Sequence, residues 1–216
     1  MAPLANGQGQ GMLVAPYGLH WSEVTASNLV SAQKLDDQDF SLLEGDSMPD
    51  IAASCIHLGI RKVKPDAKVI LHTHQPYATA LGCMKNPTLK MIHQNSLRYY
   101  NRVAYDCNYS GLAFAIDEGK RLGEALGDKN ILIMGHHGVV SVAPTISMAF
   151  DLLYYLERAA ELQILTESMK EEVELIPEAN CKTISESFWR DMQKYADEHF
   201  YARYRMLRKK QPDFEL

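Results

Sequence analysis

Two short apolar runs along the chain each end in histidine. Lys68-Val-Ile-Leu-His-Thr-His follows a break at Pro65-Asp66, and Asn130-Ile-Leu-Ile-Met runs into Gly135-His-His-Gly138. Runs of this length, bounded by turn residues, read as strands buried on both faces. Met12-Leu-Val-Ala, closed by Pro16-Tyr17-Gly18, is a further strand candidate. Val139-Val-Ser-Val-Ala reads as another, hairpin-paired with the run before it. Helical periodicity fills the intervals. Residues 50–60 carry small and apolar side chains on most faces, and Pro76 suits the first turn of a helix to Cys83. A helix is also expected from Asn95 to Val103. Asp117 is read as the N-cap of a helix that ends at Gly127, and Glu44 to Ser47 as a loop. Thr145 caps a long helix striped by Ala149, Leu153, Leu156, Ala160 and Ile164, which share one face. Beyond Pro177 a single amphipathic helix is expected from Ser185 to Leu207. Its aromatic residues, Trp189 and Phe200 among them, would dock on the domain or on a neighbouring subunit. The pattern describes one α/β domain over residues 12–176 with a helical C-terminal extension over 177–216.

Composition narrows the function classes. The chain has 216 residues, 46% hydrophobic and 23% charged, as in ordinary globular proteins. A formal net charge of −5 argues against a nucleic-acid partner, which calls for a basic face. Apolar runs stay short of the roughly 18 residues a membrane span needs. The N-terminus lacks the basic and apolar regions of a signal peptide. Cys55, Cys83, Cys107 and Cys181 form no CxxC pair and read as buried free thiols of a cytoplasmic protein.

The candidate chemistry lies in the histidines. Side chains at i and i+2 leave a strand on the same face, so His72 and His74 can reach one point. The second run delivers His136 and His137 into a turn whose glycines allow a sharp bend beside a neighbouring strand. One of them would complete a three-nitrogen site. Isolated surface or core histidines are the bland explanation of His-Thr-His alone; the second strand end weighs against it. Zinc with three protein ligands keeps a fourth position open, the arrangement of catalytic sites.

VILHTHQPYATAL and ILIMGHHGVVSVAPTISMAFDLLYYLERAAELQ resemble the class II aldolase/adducin family over roughly residues 12 to 165. PYGLHWSEVTASNLV, NSLRYYNRVAY and the C-terminal HFxARYRMLRKKQPDF are similar to its adducin-like branch. The resemblance assigns the metal to His72, His74 and His137, one ion per chain, zinc or else manganese, cobalt or iron(II). It leaves His136 to pack beside the ligand. It implies a three-layer α/β/α fold with a mixed, mostly antiparallel central sheet. It also implies a homotetramer with sites at subunit interfaces.

The family's aldolases stabilise an enediolate by Lewis-acid catalysis, and against that pattern the chain departs at several positions. The glutamate four residues before a helical histidine, here His57, becomes Ala53, which cannot move a proton. Two hydroxyl residues that bind substrate phosphate become Ile51 and Ala52. A tyrosine acid becomes Gln94, after His93. The family's N-terminal phosphate loop has little counterpart, Asn6-Gly7 being a weak cue. Asp50 is the nearest carboxylate and a weak catalytic candidate, with helix capping the plainer role. Glu44 and Asp46 read as surface charges. Two functions remain in view. One is a lyase cleaving a C–C bond in a small hydroxycarbonyl substrate. The other is a non-catalytic adducin-like head serving oligomerisation or binding to the actin cytoskeleton.

Overall fold

The computed structural model describes residues 11–34, 40–44, 49–109, 111 and 116–216. Strands β1 (Gly11–Val14), β2 (Val30–Lys34) and β3 (Phe40–Glu44) form a small antiparallel sheet. Strands β4 (Val69–Thr73), β5 (Val103–Asp106), β6 (Ile131–Met134) and β7 (Gly138–Ala143) form the central sheet in the order β4-β7-β6-β5. β7 runs antiparallel to both neighbours, and β5 runs parallel to β6. The sheet is therefore mixed and mostly antiparallel, as expected.

The helices in chain order are α1 (Ile51–Val63), α2 (Pro76–Gly82), α3 (Ile116–Leu126), α4 (Ile146–Ser168), α5 (Glu178–Arg190) and α6 (Met192–Lys210). Strand side chains alternate between faces, and the alternation builds two cores. Ile70, Leu132, Met134, Val140 and Val142 pack under Ile56 and Ile60 of α1 and Leu122 and Leu126 of α3. Val69, Ile131, Ile133 and Val139 pack under Ala78 and Leu81 of α2 and the stripe of α4. The result is the three-layer α/β/α architecture. Each fully buried Leu or Ile contributes about 1.5–3 kcal/mol. Met12, Val14 and Val30 of the small sheet rest on Leu58 of α1.

Local chemistry sets the helix ends. Asp50 caps α1, accepting from Ala53 N at 2.7 Å, and Thr145 caps α4, accepting from Met148 N at 3.3 Å. Gly127 closes α3 in the left-handed region, φ 56°. α1 and α3 approach backbone to backbone. A Cβ on Gly59 would lie 2.2 Å from the Gly119 carbonyl carbon, and one on Gly119 would lie 2.1 Å from Cys55 O. No side chain fits either position.

Four expectations differ. The helix foreseen over Asn95–Val103 is a short 3₁₀ turn, Gln94–Tyr99, because Val103 must extend to pair with Ile131. The final helix is two, divided at Asp191 (φ −110°, ψ 10°). The division lets Trp189 donate to Arg98 O at 2.9 Å while Met192 and Ala196 bury against α4. Asp117 lies inside the first turn of α3, which begins at Ile116. Glu44 ends β3 and is not in a loop. Asp46 and Asn6-Gly7 fall outside the described residues.

The C-terminal helices are joined to the core through a buried carboxylate. Asp151 of α4, fully buried, accepts from Arg98 Nη1 at 2.7 Å and pairs with His199 Nδ1 of α6 at 2.8 Å. The Arg98 guanidinium lies 4.0 Å from the centre of the Tyr155 ring.

Gly119→Ala should cost about 1–3 kcal/mol or more, since both helix backbones must separate. Urea unfolding followed by circular dichroism would read the change; an unchanged midpoint would refute the close approach as a constraint.

Candidate metal centre

β4 ends at Thr73, and the chain turns directly into α2. His72 leaves the strand opposite Val140, on the α1–α3 face of the sheet, and His74 leaves just beyond it. The tight turn from β6 into β7 supplies His137. The three side chains converge: one ligand atom from each lies within 4.8 Å of the others. The ring centroids are 4.9–5.0 Å apart, with interplanar angles of 65–75°, so the rings meet edge to face around a common centre.

The nitrogens suit a metal ion. His72 Nε2 and His74 Nε2 are 3.2 Å apart. Tetrahedral zinc with Zn–N bonds of about 2.0–2.1 Å places its nitrogens about 3.3 Å apart. His72 Nδ1 lies 3.1 Å from Val139 O. A carbonyl only accepts, so Nδ1 carries the proton and Nε2 turns its lone pair to the centre. Burial pushes the His72 imidazole down to about 4, against an opposing backbone hydrogen bond to Val139. Burial also lowers His137. Neutral rings are what a metal requires. His74 is exposed, so the triad is open to solvent on one side.

Gly138 sets the approach of these rings. A Cβ there would lie 2.6 Å from both His74 Cδ2 and Thr73 O, and 3.4 Å from His72 Cε1. The strand-to-helix corner is held from the opposite layer. Glu157 of α4, 7% exposed, accepts from Tyr77 N at 3.0 Å and Ala78 N at 2.9 Å. Its carboxylate thus satisfies two of the orphan donors at the start of α2.

A second support lies beside His137. Arg121 of α3 clasps Glu118 through Nε at 2.8 Å and Nη2 at 2.6 Å, and Asp106 through Nη1 at 2.9 Å and Nη2 at 2.7 Å. Hydrogen bonds to Glu118 first, and then to Asp106, raise the Arg121 guanidinium above its ordinary value. Gly135 N donates to Asp106 O at 2.6 Å, so this cluster anchors the turn that carries His137. Sequence reasoning passed over Glu157, Arg121, Glu118 and Asp106. The signal for Glu157 was a carboxylate four residues after Leu153, on the apolar side of α4.

The other site candidates fall as follows. Asp50 caps α1 through one oxygen. His57 is buried below His72, and desolvation lowers its proton affinity. His136, with φ 56°, is exposed, and its ring stands 6.3 Å from that of Tyr109, outside the triad. Gln94 lies away from the triad in this chain. It lines a cleft of about 410 Å³ with Arg98, Asp151, Phe188 and His199.

A mixed-sheet α/β/α domain carrying three convergent histidines defines the class of protein. The chain belongs to the class II aldolase and adducin N-terminal domain family, whose profile matches residues 4–164. An adducin-related protein of Schizosaccharomyces pombe is 32% identical over 159 residues, 70% of this chain and 46% of that one. A Pseudomonas aeruginosa protein named for class 2 aldolases is 32% identical over 168 residues, 78% of this chain and 63% of that one. The chain therefore spans less than two thirds of these relatives. The crystal structure of an aldolase II superfamily protein from Pseudomonas syringae superposes with a TM-score of 0.82 at 28% identity. That match covers 94% of this chain and 80% of the other.

Two outcomes test this geometry. Gly138→Ala should weaken zinc binding by about tenfold or more while leaving every histidine in place; competition with a chromophoric chelator reads it, and unchanged affinity would refute the role of Gly138. The second concerns acid. A folded-state value below the unfolded one makes His72's contribution complete above about pH 6.5 and lost as pH falls toward 4. Metal-free wild-type protein should therefore lose more stability than His72→Gln between pH 7 and pH 5. Parallel urea curves for the two proteins at both pH values would contradict the assignment.

Proposed function

We propose that this chain is a metal-dependent lyase of the aldolase type, breaking a C–C bond in a small hydroxycarbonyl compound. One observation carries the reading: three imidazoles converge with one side open, and His72 Nε2 and His74 Nε2 stand at the spacing of tetrahedral zinc ligands. A purely structural site closes its coordination with four protein ligands. A divalent ion held by His72, His74 and His137 would be zinc, with manganese, cobalt or iron(II) as the alternatives. When bound, it would supply Lewis-acid polarisation of neighbouring hydroxyl and carbonyl oxygens.

The chain's own groups do the rest. Val139 O fixes the His72 tautomer, and Gly138 lets His74 close on the centre. Ala53 offers no proton carrier, so proton transfer falls to Asp50. The carboxylate's Oδ1 is used in capping, which leaves Oδ2 to accept a substrate hydroxyl proton. A carboxylate that also caps a helix is a weaker base than an uncommitted one, so turnover is expected to be modest. We further propose a homotetramer, with exposed Tyr17 and Trp21 as part of its apolar contact surface. Cys83 and Cys107 are exposed, not buried as expected; exposed thiols suit a reducing compartment, and we assign the protein to the cytoplasm. Among the described residues, no helix is long and apolar enough to cross a membrane.

The second reading is a non-catalytic adducin-like head that uses the fold for oligomerisation or binding to actin filaments. Ala53 and the likeness to an adducin-related protein favour it.

Purified protein should carry about one zinc or similar ion per chain. The metal-loaded protein should cleave one member of a panel of small hydroxyaldehydes and hydroxy acids, with His137→Ala abolishing the activity. Loaded protein inactive across the panel yet sedimenting with actin filaments would decide for the adducin-like role. Absence of metal, with stability unchanged in His72→Ala, would remove the centre altogether.

A further inference from the structure

The charges around the triad define what the substrate can carry, an inference that rests on the lyase reading above. Carboxylates flank the three histidines on two sides. On the His72 side, Asp50 fills the start of α1: its Oδ1 takes the Ala53 N–H at 2.7 Å, one of the amides to which an anion would bind. Asp50 is close enough for its charge to act on the His72 ring. The next two residues, Ile51 and Ala52, have no hydroxyl to offer. On the His137 side, Asp106 and Glu118 line the same recess as His137, together with Asn108 and Arg121.

Arg121 is the cation of that recess, and both of its carboxylate neighbours already hold it in bidentate fashion. Its Nη2 also lies 3.3 Å from Asn108 O. Two carboxylates against one guanidinium leave the wall negative.

We propose that the centre selects substrates whose end remote from the metal is uncharged and hydroxyl-bearing, and rejects phosphate and carboxylate tails. A hydroxyl can donate to Glu118, to Asp106 or to the Asn108 carbonyl, all of which accept. A phosphate brings further negative charge and no donor. It would have to draw Arg121 away from two carboxylates, leaving them unpaired. Specificity of this kind comes from the repulsive element as much as from the attractive one. Glu118 is the specificity-determining residue of this arrangement, since it faces the recess beside His137 and shares Arg121.

The test uses the zinc-loaded full chain and two probes that chelate a metal through the same hydroxamate: glycolohydroxamate and its phosphate ester. Calorimetry should find the phosphate ester bound about tenfold or more weaker. Glu118→Gln should narrow that ratio to about threefold or less. In wild-type protein, raising the salt concentration should narrow it too, because screening weakens the repulsion without any substitution. A phosphate ester that binds as tightly as the uncharged probe, or more tightly, overturns the substrate class and leaves the metal centre standing. If one zinc loads per chain and neither probe binds, the open catalytic centre fails and the substrate class falls with it.

Discussion

The carboxylate of Glu157 is the constraint on which the histidine-bearing corner depends. It sits in α4, 7% exposed, and its partners are two backbone N–H groups at the start of α2. A buried charge without partners is among the costliest features a fold can contain. A helix start without acceptors is also costly. Each of these liabilities satisfies the other, and together they lock α4 to α2 at the point where β4 ends. His72 and His74 leave the chain within a few residues of that point, so their direction is inherited from this contact. The layer on the far side of the sheet thereby fixes the geometry of the nearer one.

The opposite layer contributes in a different way. α1 and α3 meet through glycine, which brings Asp50 at the start of one helix and Glu118 near the start of the other to flanking positions around the histidines. Arg121 then joins Glu118 to Asp106 at the end of β5. The triad is thus framed by negative neighbours. This favours the binding of a cation and sets the field that any substrate must enter.

Much of this was legible in the sequence because buried strands and helix caps are local signals. The runs ending at His72 and Met134, the stripe of α4, and the caps at Asp50 and Thr145 all follow from spacing and residue type. His137 needed the resemblance, since spacing alone left His136 equally eligible; the backbone then separates them, with His136 at φ 56° facing outward. The misread elements were those governed by distant partners. Val103 extends because Ile131 is beside it, and the break at Asp191 follows from contacts with Arg98 and α4. Glu157 and Arg121 were invisible for the same reason: each matters through groups many residues away. Ala53 is the opposite case, a local residue whose methyl group can be read directly as the absence of a proton carrier at that position.

Gly138 has a consequence for how such a centre can change through descent. One backbone position touches two of the three ligands, so any side chain introduced there disturbs His74 and crowds His72 together. Gradual erosion of the site through this position is closed off. Residues without a proton-carrying group, such as Ala53 and Gln94, leave the histidines intact, whereas a side chain at position 138 would disturb two of them at once. The integrity of the triad is therefore written as much in a residue that binds nothing as in the three that converge.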